Sequence, residues 1–187
     1  IHRYRPRIEG LFSRIERILE KDNHYWKVTS RDNIVSVFGQ EVSARISNPN
    51  DPDNPNDPTK IFRWNLEYSY DDKGNFTKYN YKAENSIGLP MQVSERNRKS
   101  GIAPFTNTYL KSVWYGNNEA YYAEPGNAMP VQAEQFMFEL VLDYGEHHQT
   151  KPKPDDSDDW STRIDPYSSY RSGFEIRTYR RCHRILM

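Results

Sequence analysis

Two acidic loops carry side chains of the type that binds calcium. The first contains Asp51, Asp53 and Asp57, and the second contains Asp155, Asp156, Asp158 and Asp159. A calcium loop needs about six to eight oxygen ligands at regular spacing, usually with a glycine for the turn and a distal glutamate. Because neither loop has this pattern, we interpret both as solvated acidic turns and predict that they bind no metal.

The histidines and the single cysteine could serve a metal or a nucleophile. His147 and His148 are adjacent, and neighbouring side chains of an extended segment point to opposite faces, which disfavours a shared zinc ion. Cys182 and His183 diverge for the same reason, and a nucleophile and its base usually come from distant positions. The G-x-S-x-G, P-loop and G-x-G-x-x-G motifs are absent from the sequence. We therefore predict no catalytic residue, no cofactor and no metal.

Five arginines make the C-terminal segment basic, namely Arg171, Arg177, Arg180, Arg181 and Arg184. A phosphate or nucleic-acid site would need such residues. However, 26 basic residues balance 26 acidic ones and the isoelectric point is near 7.1, so the chain as a whole presents no field for a polyanion. We expect the arginines to pair with the acidic loops inside the fold, and we predict no nucleic-acid partner.

The aromatic side chains have two possible roles, sugar binding and core packing. Trp26, Trp64 and Trp114 could stack on sugar rings, as they would in a carbohydrate-binding β module. Hydrophobic residues make up only 35% of the chain, and aromatic residues alone make up 14%. We therefore expect the tryptophans to fill a core that the aliphatic residues cannot, and the sugar-binding reading stays open as an alternative.

Strands must position these side chains, because the strongest periodicity is two residues long. From Ile61 to Tyr70, apolar residues alternate with polar ones, which predicts one half-buried strand of about 33 Å. The segment Asp71–Asn75, with Gly74, predicts a turn into a returning strand over Phe76–Tyr81. We expect the core to include Phe62, Trp64, Leu66, Phe136, Phe138 and Leu140.

Further strands are predicted by the same pattern. A second hairpin joins Tyr25–Ser30 to Ile34–Phe38, and other strands cover Thr108–Tyr115, Gln135–Tyr144 and Phe174–Arg180. Leu11–Leu19 fits both a helix and a strand, and we favour a strand that pairs with Tyr25–Ser30 through Glu20–His24. Composition predicts three long loops, over Asn48–Pro58, Glu84–Pro104 and Thr150–Trp160.

These observations predict a mainly β fold with little helix, in which long antiparallel hairpins form a curved sheet or a sandwich-like shell segment. We interpret residues 1–187 as a single β-rich region. One cysteine excludes an intramolecular disulfide, and no apolar run is long enough to span a membrane as a helix. The chain starts without Met and ends within Arg184–Met187, so we expect it to be a fragment of a longer polypeptide.

Several strings in order resemble one family, the SpvB and insecticidal toxin complex B-component family (TcB-like and Rhs-associated), in its N-terminal SpvB-type region. The last of these strings, 163–180, is the most specific. The strings are YRPRIEGLF (4–12), YWKVTS (25–30), FG (38–39), ARI (44–46), IFRW (61–64), DDKGN (71–75), YLK (109–111), YGN (115–117), DYGEH (143–147) and RIDPYSSYRSGFEIRTYR (163–180).

The resemblance implies a role in virulence. In this family the region resembles a β-rich shell segment that precedes a β-propeller and Rhs-type repeats, and the B component with a C component encloses a cytotoxic effector that an A component delivers. Such proteins are secreted, with delivery to the host cytoplasm. In SpvB the ADP-ribosyltransferase lies in a separate C-terminal region, and its glutamate-containing motif is not recognisable in this sequence.

Three hypotheses follow. The leading one is a non-enzymatic structural segment of a secreted bacterial toxin-complex protein, in a β-sheet shell that encapsulates or presents a cytotoxic effector. Its expected partners are the other domains of the same chain and the toxin-complex C and A components. The alternatives are an accessory region of an ADP-ribosyltransferase toxin and a carbohydrate-binding β module.

Overall fold

A computed structural model describes residues 1–21, 23–50, 56–90, 92–101, 104–153 and 155–187. The strands are β1 (His2–Tyr4), β2 (Arg14–Glu20), β3 (Asn23–Thr29), β4 (Val35–Phe38), β5 (Arg45–Ser47), β6 (Ile61–Trp64), β7 (Leu66–Tyr70), β8 (Phe76–Ala83), β9 (Thr108–Asn117), β10 (Phe136–Asp143), β11 (Tyr167–Ser169), β12 (Ile176–Thr178) and β13 (Arg184–Leu186). One short helix, α1 (Arg96–Lys99), and 3-10 turns at Val42–Ala44, Val93–Glu95 and Ala133–Gln135 complete the described elements. None of the helices in the described part of the chain has the length and apolarity of a membrane span.

One open antiparallel sheet of nine strands dominates the structure, and the prediction of a mainly β fold is confirmed. Its strand order is β1-β2-β3-β4-β7-β8-β9-β10-β13, so most neighbours in the sheet are also neighbours in the sequence. Two small sheets pair β5 with β6 and β11 with β12. Strands β1 and β13 form the two edges, and no further described strand pairs with either of them on its outer side.

The predicted hairpins are confirmed. The backbone amide of Asp71 donates to the carbonyl of Asn75 over 3.1 Å, and Gly74 has φ of +92°. Glycine suits this position because it has no Cβ to clash in the left-handed region. The ambiguous segment near residue 15 is a strand, as we favoured, because β2 pairs with β3 from Arg14 opposite Thr29 to Glu20 opposite Asn23.

The single strand predicted over Ile61–Tyr70 is wrong, because the structure divides it into β6 and β7 at Asn65. The Asn65 amide donates to the carbonyl of Ala44 over 2.8 Å, and its carbonyl accepts from the Gly39 amide over 2.9 Å. These bonds draw Asn65 away from a continuous ladder, and β6 pairs with β5 outside the main sheet.

Part of the predicted core is also wrong. Phe62 is exposed because it lies on β6, outside the main sheet, and Phe138 is 54% exposed on the sheet's second face. Phe136 is buried as expected, while Trp64, Leu66 and Leu140 are half-buried. The strand predicted over Phe174–Arg180 shrinks to β12, since only its middle pairs with β11.

Aromatic side chains form much of the core on the first face of the main sheet. The rings of Tyr68 and Phe76 stack with centroids 5.4 Å apart. Tyr121, from the connection between β9 and β10, packs edge-on against Phe76 at 5.1 Å. The buried cluster consists of Ile18, Tyr25, Val35, Val37, Tyr68, Phe76, Tyr121 and Phe136. Aromatic rings therefore supply much of the volume that a larger aliphatic content would otherwise fill.

The second face carries apolar side chains that are only partly buried. Cross-strand pairing places Tyr79 opposite Val113, Val113 opposite Leu140, and Tyr115 opposite Phe138. Directly opposed residues share a face, so these five side chains form one surface across β8, β9 and β10. We call it the aromatic stripe. Its rings include the stacked pair of Tyr115 and Phe138, with centroids 5.3 Å apart.

Gly74 offers a test of the hairpin. A Cβ added there would lie 2.7 Å from the Ala120 Cβ, whereas a Cβ at Gly126, which has a similar φ of +95°, would meet nothing within 4 Å. We expect Gly126→Ala to lower the free energy of unfolding by about 1 kcal/mol through backbone strain alone. Gly74→Ala should lower it by about 2–4 kcal/mol, because the clash adds to the strain. Urea denaturation measures both, and equal losses would contradict the role of the Ala120 contact.

Candidate functional site

The connection that follows β10 brings metal-ligand types together beside two lysines. Glu146 and His147 are buried, and ligand atoms of Glu146, His147 and Asp156 lie within 4.8 Å of one another. Lys82 of β8 and Lys111 of β9 reach into the same cluster. His147 and Asp156 were predicted as separate candidates from the sequence. Glu146, next to His147, matched no motif, and Lys82 and Lys111 were not predicted because they are distant in sequence.

The lysine ammonium groups occupy the positions that a cation would take. Lys111 Nζ lies 2.5 Å from Glu146 Oε1, 2.9 Å from Asp156 Oδ1 and 2.8 Å from His147 Nε2. His147 Nδ1 donates to the carbonyl of Lys153 over 2.8 Å, which leaves Nε2 to accept from Lys111. Two ammonium groups thus balance two carboxylates, and the geometry describes an ion cluster that fastens the connection to the sheet.

The charge of Asp156 is stabilised by this cluster. Burial alone would raise the pKa of Asp156, but hydrogen bonds from Lys82 and Lys111 outweigh it and lower the pKa below its ordinary value. His148, in contrast, is exposed, and its Nδ1 accepts from the backbone amides of Thr150 and Lys151. The two adjacent histidines therefore lie in different environments, one buried in the ion cluster and one exposed.

A second cluster centres on Arg180, which is buried with Glu84. Arg180 Nη2 lies 2.7 Å from Glu84 Oε1, and Nη1 donates to the carbonyl of Trp160 over 2.9 Å. The guanidinium carbon lies 4.1 Å from the centroid of the Trp160 ring, and Lys82 Nζ lies 4.5 Å from it. Cations over an indole face are attracted by its quadrupole. One arginine thus joins the C-terminal segment to two loops.

Tyr109 completes the second cluster. Its hydroxyl donates to Glu84 Oε2 over 2.8 Å and accepts from the backbone amide of Tyr179 over 3.0 Å. Burial and the neighbouring Glu84 carboxylate raise the pKa of Tyr109, so the phenol stays protonated and can keep donating.

Other C-terminal arginines also pair inside the fold. Arg177 Nη2 lies 3.0 Å from the buried Glu95, and Arg184 Nε lies 2.6 Å from Asp143. Burial alone would raise the pKa of Asp143, yet the hydrogen bond from Arg184 and backbone amides lower it. Pairing with the acidic loops was expected, but the partners are other buried carboxylates, namely Glu84 and Asp143 at strand ends and Glu95 in a 3-10 turn. Of the acidic residues in the 155–159 loop, Asp156 pairs with lysines instead.

The remaining candidates are scattered. Asp51 and Asp53 lie outside the described residues, and the Asp57 carboxylate accepts from the amide and hydroxyl of Thr59. Cys182 Sγ contacts the carbonyl of Arg184, whereas His183 contacts Ser161. Burial raises the pKa of Cys182, which disfavours a reactive thiolate. Arg171 and Arg181 are exposed.

The geometry defines a structural β module, in which ion clusters hold irregular segments against an open sheet. The chain belongs to the SpvB family, described as Salmonella virulence plasmid 65kDa B protein, whose sequence profile matches residues 1–187. It is 32% identical over 199 aligned residues to the mono(ADP-ribosyl)transferase SpvB of Salmonella typhimurium (strain 14028s / SGSC 2262), and equally so to that of Salmonella dublin. The alignment covers the whole chain and 31% of each relative.

Solved structures agree with this assignment. The N-terminal domain of the effector protein SpvB from Salmonella typhimurium strain LT2 superposes with a TM-score of 0.80 at 31% identity, over 98% of this chain and 56% of that one. A Photorhabdus luminescens Tc holotoxin pore gives a TM-score of 0.84 at 32% identity, over 98% of this chain and 8% of that one. The TcdB2-TccC3 complex gives 0.82 at 32% identity, over 98% and 9% of the two chains. The chain is therefore similar to a segment that effectors and toxin complexes share.

Arg180 can be tested against its exposed neighbour. Arg180→Met removes the cation and leaves Glu84 buried without its partner, so we expect the free energy of unfolding to fall by about 3–5 kcal/mol. Arg181→Gln removes an adjacent but exposed arginine and should leave the urea midpoint nearly unchanged. Similar midpoints for the two variants would show that the Arg180 cluster does not hold the fold.

The Asp156 cluster has a defined pH dependence. Because the folded-state pKa is lowered, the stabilisation is present above the ordinary carboxyl pKa of about 4 and is lost as pH falls towards the folded-state value. We expect Asp156→Asn to reduce stability at neutral pH, and we expect the difference from the unsubstituted chain to shrink as the pH falls from about 4 through the lower folded-state pKa. Thermal melts across this range measure the effect. Asp158→Asn, in the same exposed loop, is the control, and a constant difference at all pH values would contradict the assignment.

Proposed function

We propose that the chain is a non-enzymatic structural segment of a secreted bacterial toxin-complex protein. In this proposal it contributes part of a β-sheet shell that encapsulates or presents a cytotoxic effector. The observation that carries the proposal is the aromatic stripe on an open sheet, together with the likeness to toxin-complex structures. We also propose that residues 1–187 act as one β-rich region within a longer polypeptide.

The aromatic stripe favours a segment of a larger shell over a free-standing module. Three adjacent strands present apolar side chains that reach only partial burial, and Phe138 remains 54% exposed. Contiguous apolar surface of this kind marks a contact with another protein surface. The sheet edges at β1 and β13 support the same conclusion, because uncovered edges offer backbone groups for further pairing.

The polar clusters support the non-enzymatic part of the proposal. Glu146, His147 and Asp156 are the type of residues that could work in catalysis, but lysines neutralise them. Glu84 and Glu95 are likewise bound by arginines. The relatives named as transferases are about three times longer than the matched segment, so we assign their activity to other parts of those proteins.

The proposed partners follow from the same relatives. We propose contacts with other parts of the same polypeptide, including a propeller and Rhs repeats, and with toxin-complex C and A components. Secretion and delivery to a host cell accord with the relatives named as an effector and as a Tc holotoxin pore. The sugar-binding alternative loses support, because Trp160 is buried and Trp26, Trp64 and Trp114 are half-buried.

A substitution in the stripe tests the shell role. Phe138→Glu in the full-length protein should leave the strands folded, since the side chain is exposed, but should place an uncompensated charge in the shell contact. We expect the enclosed effector to lose its protection against protease by about tenfold or more, because burying a lone charge costs several kcal/mol. Val93→Glu is the matched control, because Val93 is exposed and lies off the stripe.

Two results would contradict the proposal. One is full effector protection in the Phe138→Glu protein with circular dichroism unchanged. The other is transfer of an ADP-ribosyl label from NAD to a target protein by this chain alone, which would assign it an enzymatic role. Loss of the folded circular dichroism signal would move the test to Tyr115→Ser, which removes a ring of the same stripe without adding charge.

A further inference from the structure

The connection between β1 and β2 exposes apolar side chains at its end. Ile8 is 86% exposed, Leu11 is 80% exposed and Phe12 is 65% exposed. A Cβ added at Gly10 would meet nothing within 4 Å, so no described part of the chain packs over this point. We call residues 8–12 the N-terminal tip. Three large apolar side chains this close together and this exposed form a patch that calls for a partner.

Arginines surround the base of the tip. A cleft of about 810 Å³ lies beside it, lined by Arg3, Arg5, Arg7 and Arg14 and by the rings of Tyr4 and Phe12. Glu16 alone pairs with both Arg3 and Arg14, at 3.2 and 3.3 Å. No carboxylate of the described residues forms an ion pair with Arg5 or Arg7. The neutral total charge of the chain therefore conceals a local excess of positive charge.

The tip itself carries one carboxylate, which offsets only part of this charge. Glu9 turns back on the chain, where its Oε1 accepts from the Phe12 amide over 2.8 Å. The four guanidinium groups of the cleft thus face two glutamates. Guanidinium groups bind phosphate oxygens through paired donors, which makes phosphate the chemistry that this cleft fits best.

We propose that the N-terminal tip and its arginine cleft dock onto an anionic phospholipid surface. The arginines contact lipid phosphates, and Ile8, Leu11 and Phe12 enter the boundary between headgroups and acyl chains. Peripheral membrane contacts combine apolar side chains with basic residues in this manner. An acidic protein would match the arginines, but it would leave the outward apolar tip without a complementary environment. This proposal is independent of the proposed shell role.

Vesicle sedimentation of the full-length protein tests the proposal. We expect binding to vesicles of phosphatidylcholine with phosphatidylserine, and little binding to phosphatidylcholine alone. Raising salt from about 0.1 M to about 1 M shortens the screening length from about 10 Å to about 3 Å and should weaken the binding. Inositol hexakisphosphate serves as a soluble phosphate probe. It should compete with lipid phosphates for the arginine cleft, but it should not replace the contact between the tip and the acyl chains.

Two variants separate the parts of the surface. Arg5→Gln with Arg7→Gln should lower partitioning onto anionic vesicles about tenfold or more, because each basic residue near an anionic membrane strengthens binding and the double variant removes two of them. Leu11→Ser should also lower it about tenfold while keeping the salt dependence, because it removes apolar burial only. The matched controls are Arg171→Gln and Ile164→Ser, which change exposed residues away from the tip and should bind as the unsubstituted protein does.

Any one of the following results would overturn the proposal. They are equal binding to neutral and anionic vesicles, unchanged partitioning of the arginine double variant, loss of binding in the two controls as well, and hydrogen-exchange protection of residues 8–12 in the full-length protein without lipid. The last result would show that another part of the protein covers the tip. Binding of the soluble phosphate with no vesicle binding would also reject the bilayer as the partner.

Discussion

The buried pair of Arg180 and Glu84 is the interaction on which the irregular half of the structure depends. A single guanidinium binds one carboxylate, stacks over the ring of one indole and donates to backbone carbonyls of two loops. Buried charges are tolerated only when every donor and acceptor has a partner, and here the partners come from two segments that are distant from Arg180 in sequence. Through this pair, Trp160 and the start of the loop after β8 share one partner in the C-terminal segment. The Lys111 cluster fastens the neighbouring connection in the same way, with two carboxylates and an imidazole around one ammonium group.

The two faces of the main sheet meet different requirements. The first face is sealed by rings from the strands and from the β9–β10 connection, so its aromatic content replaces aliphatic volume. The second face is fastened at one end by the ion clusters and leaves the aromatic stripe between β8 and β10 half-open. This division accounts for a low apolar content in a chain of this length. One face is buried within the chain itself, and the other keeps apolar side chains that are only half-buried.

Local pattern was sufficient to predict the hairpins, because alternation and turn residues act between neighbours in sequence. The Asp71–Asn75 turn and the pairing of β2 with β3 both follow from such short-range rules. The break at Asn65 was not predictable, since it arises from hydrogen bonds to Ala44 and Gly39, which no periodicity reveals. The ion clusters were missed for the same reason. In the sequence, unrelated surface charges are all that one sees at Lys82, Lys111 and Asp156, because only the fold brings them together. The family resemblance could be recognised, because it rests on ordered strings that are read along the chain.

The strand order has a consequence for how the chain acquires its structure. Six of the eight pairings in the main sheet join consecutive strands. The pairings from β1 to β4 and the pairing of β7 with β8 also form over connections of nine residues or fewer, which keeps the entropy cost of closing them small. The contact between Arg180 and Glu84 spans 96 residues, so it can form only after the segment around Arg180 has been made. During synthesis, the hairpins can form one after another before that point. A chain that has not yet made this contact would hold its early hairpins, while Trp160 and the start of the loop after β8 would lack their shared partner.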